Sequence, residues 1–560
     1  MSALLRRLDS IEAVIKAQAG QLDKSVYGVV DKLNEDGTPH FIRKWKGTIG
    51  NMEPTDEEPT IFVIEKLEPM ILKHKKWKCA FGGRAGTKSI MVMDSMAGEV
   101  NSCGSKVYVL RERMKSLKES IYSGIEGRIR SLRLAGFLPV PSQWEIRHKS
   151  GGKISFGGMQ NIIDMKGSFE YKFFLMEEAA RTKQSTLDTL GPTLRGVPGA
   201  EIWVVWNPES AVDPMSTEFI IPFQADLDRC GYYEDDYHMV IKVGHEDNPW
   251  FMADQSLREE YEKDKQKKEE GRMSVARFNH IWHGAFNDDI DNSVIKADWF
   301  DACIDAHKKL GFQARGGVTV GFDPSDVGGD AKGYAKRQGV VFDDIKEIDA
   351  ADANRAFDIA SRDAKLAGVD SFGWDCDGMG ALLRDQAARN FSGTKVNTFM
   401  YKGSESPHNP EAIYKPVGDF GIRDGKKNKD LFDNKKAQNI VNFAERVYKT
   451  WEAVVHGIYH NPDELVSFDS ETITPQMMQK LRSEATRIPM KPSDKFKFYT
   501  KAEMRAGVTV VDEHGNRNKI VIPSPNLFDA VVLSFDNSAN ITQRRVNKSH
   551  RPQPIKRMGR

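Results

Sequence analysis

Residues 77–89 read Trp-Lys-Cys-Ala-Phe-Gly-Gly-Arg-Ala-Gly-Thr-Lys-Ser, and this stretch decides how the first half of the chain folds. Trp77–Phe81 is an apolar run of strand length, and Ile90-Met91-Val92-Met93 opens a helix after Ser89. A glycine-rich turn between a strand and a helix is the setting of a phosphate-binding loop, where backbone N–H groups at the helix start hold phosphate oxygens. In that reading Gly82, Gly83, Arg84, Ala85, Gly86 and Thr87 make the ATP-binding turn, Lys88 reaches the β- and γ-phosphates, and Ser89 binds Mg²⁺. Thr87 departs from the usual pattern, which has Gly there. Taken alone, such a turn is compatible with an ordinary loop.

Downstream, Phe173-Phe174-Leu175-Met176-Glu177-Glu178 is a buried-strand signature ending in two carboxylates. Mg²⁺ needs a hard oxygen ligand and hydrolysis needs a group that orients water, so Glu177 is expected at the metal and Glu178 at the water. A further strand, Glu201–Trp206, ends in Asn207-Pro208. Asn207 is a candidate for sensing the γ-phosphate, although Asn-Pro alone is only a turn signal. Short apolar runs alternating with helical stretches from 61 to 285 predict an α/β domain with a mainly parallel sheet and its functional groups at the carboxyl ends of the strands.

A second α/β block spans 316–543. Gly-Gly-Val-Thr-Val-Gly-Phe-Asp ends at Asp323, and the run QGVVFDDIKEI is expected to pair with that strand. Asp375 ends another strand before a glycine-rich turn, and Asp529 stands ahead of an apolar helical run. Three carboxylates delivered by two strands and a helix can hold two Mg²⁺ or Mn²⁺ ions for phosphodiester hydrolysis, the RNase H-like arrangement. Asp377 is a candidate supporting group, and Asp326 and Asp330 read as loop residues.

The remaining sequence sets bounds. At 560 residues two or more domains are expected. A hydrophobic content of 39% with 29% charged residues is that of a soluble globular protein. Lys+Arg 81 against Asp+Glu 80 leaves the net charge uninformative about DNA. Five scattered cysteines exclude a disulfide framework or thiolate zinc site, and without an apolar run of about 18 residues the chain is expected to be neither secreted nor membrane-spanning. Residues 1–60 read as an extension: an amphipathic helix over 3–19, then a loop or linker over 34–59. Residues 286–315 read as a linker, 254–273 as a solvated helix, and 544–560 as a basic tail.

With these motifs in hand, the sequence from about Trp77 to Asp536 resembles the large terminase subunits of tailed bacteriophages. The resemblance rests on the P-loop with its replaced Gly, the strand and arginine at Val107–Arg111, the Glu-Glu pair, and the strand ending in Asn-Pro. Asp247-Asn248-Pro249-Trp250, His280–Gly284, Asp433–Gln438 and the Ser524–Ala530 ending add to it. It implies ATP-driven movement of double-stranded DNA into a procapsid and metal-dependent cutting of concatemeric DNA. It also implies a ring of subunits on a portal protein, a small terminase subunit as partner, and a site of action in the host-cell cytoplasm. Arginine fingers are implied as well, with Arg84 acting within its own subunit and Arg111 at a subunit boundary. Two rivals stay open at this point: a translocating ATPase without nuclease activity, and a nuclease whose P-loop look-alike is a mere turn.

Overall fold

The computed structural model describes residues 24–111, 121–158, 171–193, 197–270, 272–286, 293–324, 332–415, 425–511 and 517–536. The chain forms two compact units, Met1–Asn287 and Asp288–Arg560. The helix expected over 3–19, Asp326, Asp330 and the basic tail lie outside the described residues.

The first unit opens with a four-stranded sheet of β1 (Ser25–Leu33), β2 (Pro39–Thr48), β3 (Asn51–Pro54) and β4 (Ile61–Ile64), in the order β3-β2-β1-β4. This corrects the reading of 34–59 as loop and of 1–60 as an extension. Two of the acids that suggested a linker are paired with β2: Glu58 lies 2.9 Å from Lys44 Nζ and Glu57 2.5 Å from Lys46 Nζ. Tyr27, Ile61 and Val63 belong to the main core of the unit.

The larger sheet holds β5 (Trp77–Phe81), β6 (Lys106–Arg111), β7 (Phe137–Val140), β8 (Glu145–His148), β9 (Lys153–Gly158), β10 (Phe173–Glu177), β11 (Glu201–Trp206), β12 (Tyr232–Glu234) and β13 (His238–Lys242). Its order is β12-β13-β5-β11-β10-β6-β9-β8-β7. The six strands from β13 to β9 are mutually parallel and the antiparallel pairings are confined to the two edges, as the mainly parallel expectation required. Both faces are covered. Phe173 and Leu175 face one apolar cluster and Phe174 and Met176 the other, which is why β10 reads as an unbroken apolar run. Helix α1 (Lys88–Cys103) follows the P-loop, and α2 (Gln255–Glu269) and α3 (Val275–His283) close the unit.

The second unit carries a six-stranded sheet of β14 (Val318–Asp323), β15 (Lys332–Gln338), β16 (Val341–Ile348), β17 (Ser371–Asp375), β18 (Asn397–Tyr401) and β19 (Ser467–Phe468), in the order β18-β17-β14-β15-β16-β19. The strand that pairs with β14 is therefore β15, and QGVVFDDIKEI forms β16 one place further out. β15 (KGYAKRQ) escapes a hydrophobicity reading because a helix, α7 (Asn526–Ser534), lies on it and on β14. A Cβ on Gly333 would stand 2.1 Å from the Asn526 carbonyl oxygen, so that position cannot carry a large apolar group. Other helices of this unit include Ala353–Leu366, α4 (Lys435–Val455) and α5 (Pro475–Thr486), with a short α6 (Lys501–Ala506).

The expected linker at 286–315 is also corrected. Ala297–Cys303 and Ala306–Leu310 are helical, and Val294, Ile295, Phe300 and Cys303 sit in the core of the second unit. Their apolar residues are too few and too widely spaced to show a helical stripe over so short a span. No helix among the described residues is long and apolar enough to cross a membrane.

Candidate active sites

The P-loop leaves β5 beside β11 and β13, its neighbours in the sheet. Gly82 has φ +144°, and a Cβ there would stand 2.0 Å from the carbonyl oxygen of Val243, immediately after β13. A Cβ on Gly83 would meet the Trp282 carbonyl oxygen at 2.2 Å. Both glycines thus permit a backbone approach no side chain would allow. Ala85 and Thr87 take φ of 62° and 57°, so the position where the pattern wants Gly keeps a left-handed backbone with a β-branched residue on it. The Thr87 hydroxyl is buried without a hydrogen-bond partner.

The Lys88 ammonium donates to the Gly83 carbonyl across 2.6 Å and to that of Gly82 across 3.2 Å. Burial pushes it down to about 8. Ser89 Oγ reaches Glu177 across 3.4 Å, which joins the P-loop helix to the end of β10. Burial raises the Glu177 carboxyl, Arg111 pulls it back, and Glu178 pushes it up again. Glu178 follows in a left-handed conformation, φ 53°.

Arg111 ends β6, the strand beside β10, one residue past Leu110, which is level with Met176. Its guanidinium is buried, donates to Glu178 Oε2 across 3.1 Å and stands 3.5 Å from Glu177. It is engaged with the two carboxylates of its own chain. Arg84 lies on the surface, where it pairs with Glu260 at 2.8 Å while its backbone N–H donates to Ile281. Asn207 directly follows Trp206, whose carbonyl accepts from Gly82 N at 3.3 Å, so it stands at the P-loop's edge. Asn248, within the Asp-Asn-Pro-Trp stretch, donates to the Ala85 carbonyl across 2.7 Å and braces the loop from below.

In the second unit β14 and β17 run parallel with Phe322 level with Trp374, so Asp323 and Asp375 leave adjacent strand ends side by side. α7 brings Asp529 to them. A Cβ on Gly321 would stand 2.1 Å from the Ala530 carbonyl oxygen, and its absence lets the helix backbone rest on the strand. Two lysines complete the cluster. Lys501 at the start of α6 holds its ammonium 2.6 Å from Asp323 and 3.1 Å from Asp529, and Asn526 Oδ1 accepts from it at 2.9 Å. Lys436 stands 2.8 Å from Asp529.

Burial and the Asp323 charge push the Asp375 carboxyl up to about 7. Burial also raises Asp323, against the pull of Lys501. Asp529 is likewise buried, yet Lys436 and Lys501 hold it below its ordinary range. Asp377 supports the turn: its N–H donates to Asp375 across 2.9 Å, and its carboxylate accepts from the N–H and hydroxyl of Ser404 at 2.9 and 2.8 Å. The sequence reading assigned no role to either lysine. Lys436 lies inside the Asp433–Gln438 stretch, whereas Lys501 carries no local signal beyond the Thr500–Glu503 capping box.

Comparison with known proteins follows from these two clusters. A family model described as "Phage terminase large subunit" matches residues 74–278. The nuclease domain of the large terminase subunit gp2 of bacterial virus Sf6 matches at 43% identity over 43% of this chain and 97% of its own, with a TM-score of 0.38. The chain belongs to the phage terminase large subunit family. A mutant of the Sf6 domain solved with manganese and β-thujaplicinol matches at 42% identity, over the same 43% and 97%, with a TM-score of 0.38. The HK97 bacteriophage large terminase matches at 10% identity over 82% of this chain and 90% of its own, with a TM-score of 0.33, a likeness too slight to carry an argument. No curated protein matches the chain. As a large terminase subunit it joins an ATPase half to a nuclease half, in line with the fold class and enzyme type expected from sequence.

Proposed function

We propose that this terminase subunit binds ATP with Mg²⁺ at Gly82–Ser89 and Glu177, and cuts double-stranded DNA at Asp323, Asp375 and Asp529. The observation that carries the nuclease half is the pairing of strand ends: two carboxylates level on adjacent parallel strands, with a third pressed against them by a helix resting on Gly321. An all-carboxylate donor set suits hard Mg²⁺ or Mn²⁺, and the manganese in the Sf6 domain agrees with this. When bound there, such ions supply Lewis-acid stabilisation of the attacking and leaving oxygens. The chain's own part is to keep the carboxylates converged, and Lys501 and Lys436 balance part of their charge and hold Asp529 below its ordinary range.

In the ATPase half, Lys88 exchanges its carbonyl partners for phosphate oxygens. The buried Thr87 hydroxyl and the loop's backbone N–H groups complete the phosphate cradle. Glu178 orients the attacking water, and the Arg111 guanidinium, 3.1 Å from its Oε2, fixes where that carboxylate points. Asn207, at the tip of the neighbouring strand, conveys the state of the nucleotide to the surface that grips DNA. The subunit acts as one of a ring docked on a portal protein in the host-cell cytoplasm, with a small terminase subunit choosing the DNA.

Plasmid cleavage with Mn²⁺ and ATP turnover, measured on the same samples of wild type, Asp323→Ala and Lys88→Ala, test both halves. Asp323→Ala should abolish cutting and leave turnover, and Lys88→Ala the reverse. Normal turnover with no cutting by wild type would remove the nuclease assignment and leave a translocase.

A further inference from the structure

The ATPase unit holds a cluster that neither engine uses. His245 and Glu246 follow β13 by a short turn, and His283 ends α3. One ring nitrogen of each histidine and one oxygen of Glu246 lie within 4.8 Å of one another. His283 Nδ1 is 2.9 Å from one carboxylate oxygen, and His245 Nδ1 is 3.3 Å from the other. The two imidazole rings stand 5.3 Å apart, centroid to centroid.

The geometry points to a transition-metal site formed by His245, Glu246 and His283, suited to Zn²⁺ and related late first-row ions. Bonds of about 2.0–2.1 Å at tetrahedral angles put neighbouring ligand atoms about 3.3 Å apart, and the His283 and His245 nitrogens stand 2.9 and 3.3 Å from the two oxygens of the Glu246 carboxylate. Two imidazoles with one carboxylate form a borderline-soft donor set that prefers such ions to Mg²⁺, which takes oxygen ligands. His245 is buried among Phe251, Tyr261 and Trp282, whose rings hold it in place, and an ion at its Nδ1 would replace the 3.2 Å contact this nitrogen makes with the Trp282 carbonyl oxygen. Glu246 is exposed and His283 half-exposed, which gives an ion a route in from solvent.

The site's position gives it a use. His245 stands two residues after Val243, whose carbonyl oxygen lies against Gly82, and His283 follows Trp282, whose carbonyl oxygen lies against Gly83. A metal shared by the two segments ties together the supports on which the P-loop rests.

The test uses the full chain with no affinity tag, freed of metal by chelation and titrated with Zn²⁺ and Co²⁺. Wild type should take up one more equivalent than His283→Ala, show Co²⁺ d–d absorption that the variant lacks, and gain a thermal shift with Zn²⁺ that the variant does not. The nuclease carboxylates are the same in both proteins, so the difference reports this cluster alone. Glu246→Gln keeps the size of an exposed side chain and should weaken Zn²⁺ binding by at least about tenfold; it also serves if His283→Ala fails to fold. Equal stoichiometry and equal thermal shifts in wild type and a folded variant would overturn the proposal.

Discussion

The Lys501 ammonium lies 2.6 Å from the Asp323 carboxylate, an ion pair between the start of a short helix and the tip of a central strand. Removing one partner of a buried pair leaves the other charge uncompensated, at a cost of about 3–5 kcal/mol. Lys501→Ala should therefore lower the unfolding temperature of the nuclease unit in chelator. Mn²⁺ should restore much of that loss, because a divalent ion supplies the missing positive charge. Thermal unfolding with and without Mn²⁺ measures both, and a variant as stable as wild type in chelator would contradict the expectation.

Asp375 gives the nuclease a pH dependence. Its folded carboxyl is pushed up to about 7, above its ordinary 3.8. Between those values the unfolded chain has released a proton that the folded chain keeps, so stability in chelator should fall as pH rises through the window. Metal binding needs the ionised form, so cleavage at limiting Mn²⁺ should rise over the same range and level off above about pH 7. Asp375→Asn should flatten the stability profile, as denaturation across pH 4 to 8 would show.

Lys88 works in the opposite sense. Burial holds its ammonium at about 8, below its ordinary 10.5. Above about pH 8 the free enzyme loses the charge that greets the phosphates. The KM for ATP should climb with pH there while kcat holds, since bound phosphate keeps the proton in place. A KM flat to pH 10 would remove Lys88 from that role.

Gly321→Ala tests how α7 is seated. The added methyl would stand 2.1 Å from the Ala530 carbonyl oxygen, and main chain cannot swing aside as a flexible side chain can. The helix must lift, and Asp529 lifts with it. A displacement of about 1 Å at a reacting centre costs about 10²-fold in rate, so cutting should fall by at least that while ATP turnover stays unchanged. Parallel cleavage and turnover assays on the folded variant decide it.

How much of this was legible beforehand depended on burial. β5, β6, β10 and β11 are covered on both faces, so they stand out as apolar runs, and the acids at their ends and at β14 and β17 were readable with them. The strands of the first sheet were not, because β2 keeps most of its length half-exposed and its charges are paired across the fold. β15 hid for a related reason: a helix backbone needs Gly333 where a strand pattern looks for a large side chain. Lys501 was out of reach altogether. It meets Asp323 from 178 residues away, and a lysine on a charged stretch has no local signature.

The glycines of the P-loop carry a consequence for synthesis. Their resting places are carbonyls at Val243 and Trp282, and Gly284 lies against Gly82 with φ +65°. A ribosome adding about 5–20 residues per second needs about 10–40 s after Ser89 to deliver those supports. Through that interval the nascent chain carries its nucleotide motif without the frame that shapes it. An N-terminal fragment meant to hydrolyse ATP must extend past Gly284, and one ending at α2 would contain the P-loop, the Glu-Glu pair and Asn207 and lack the Trp282 support.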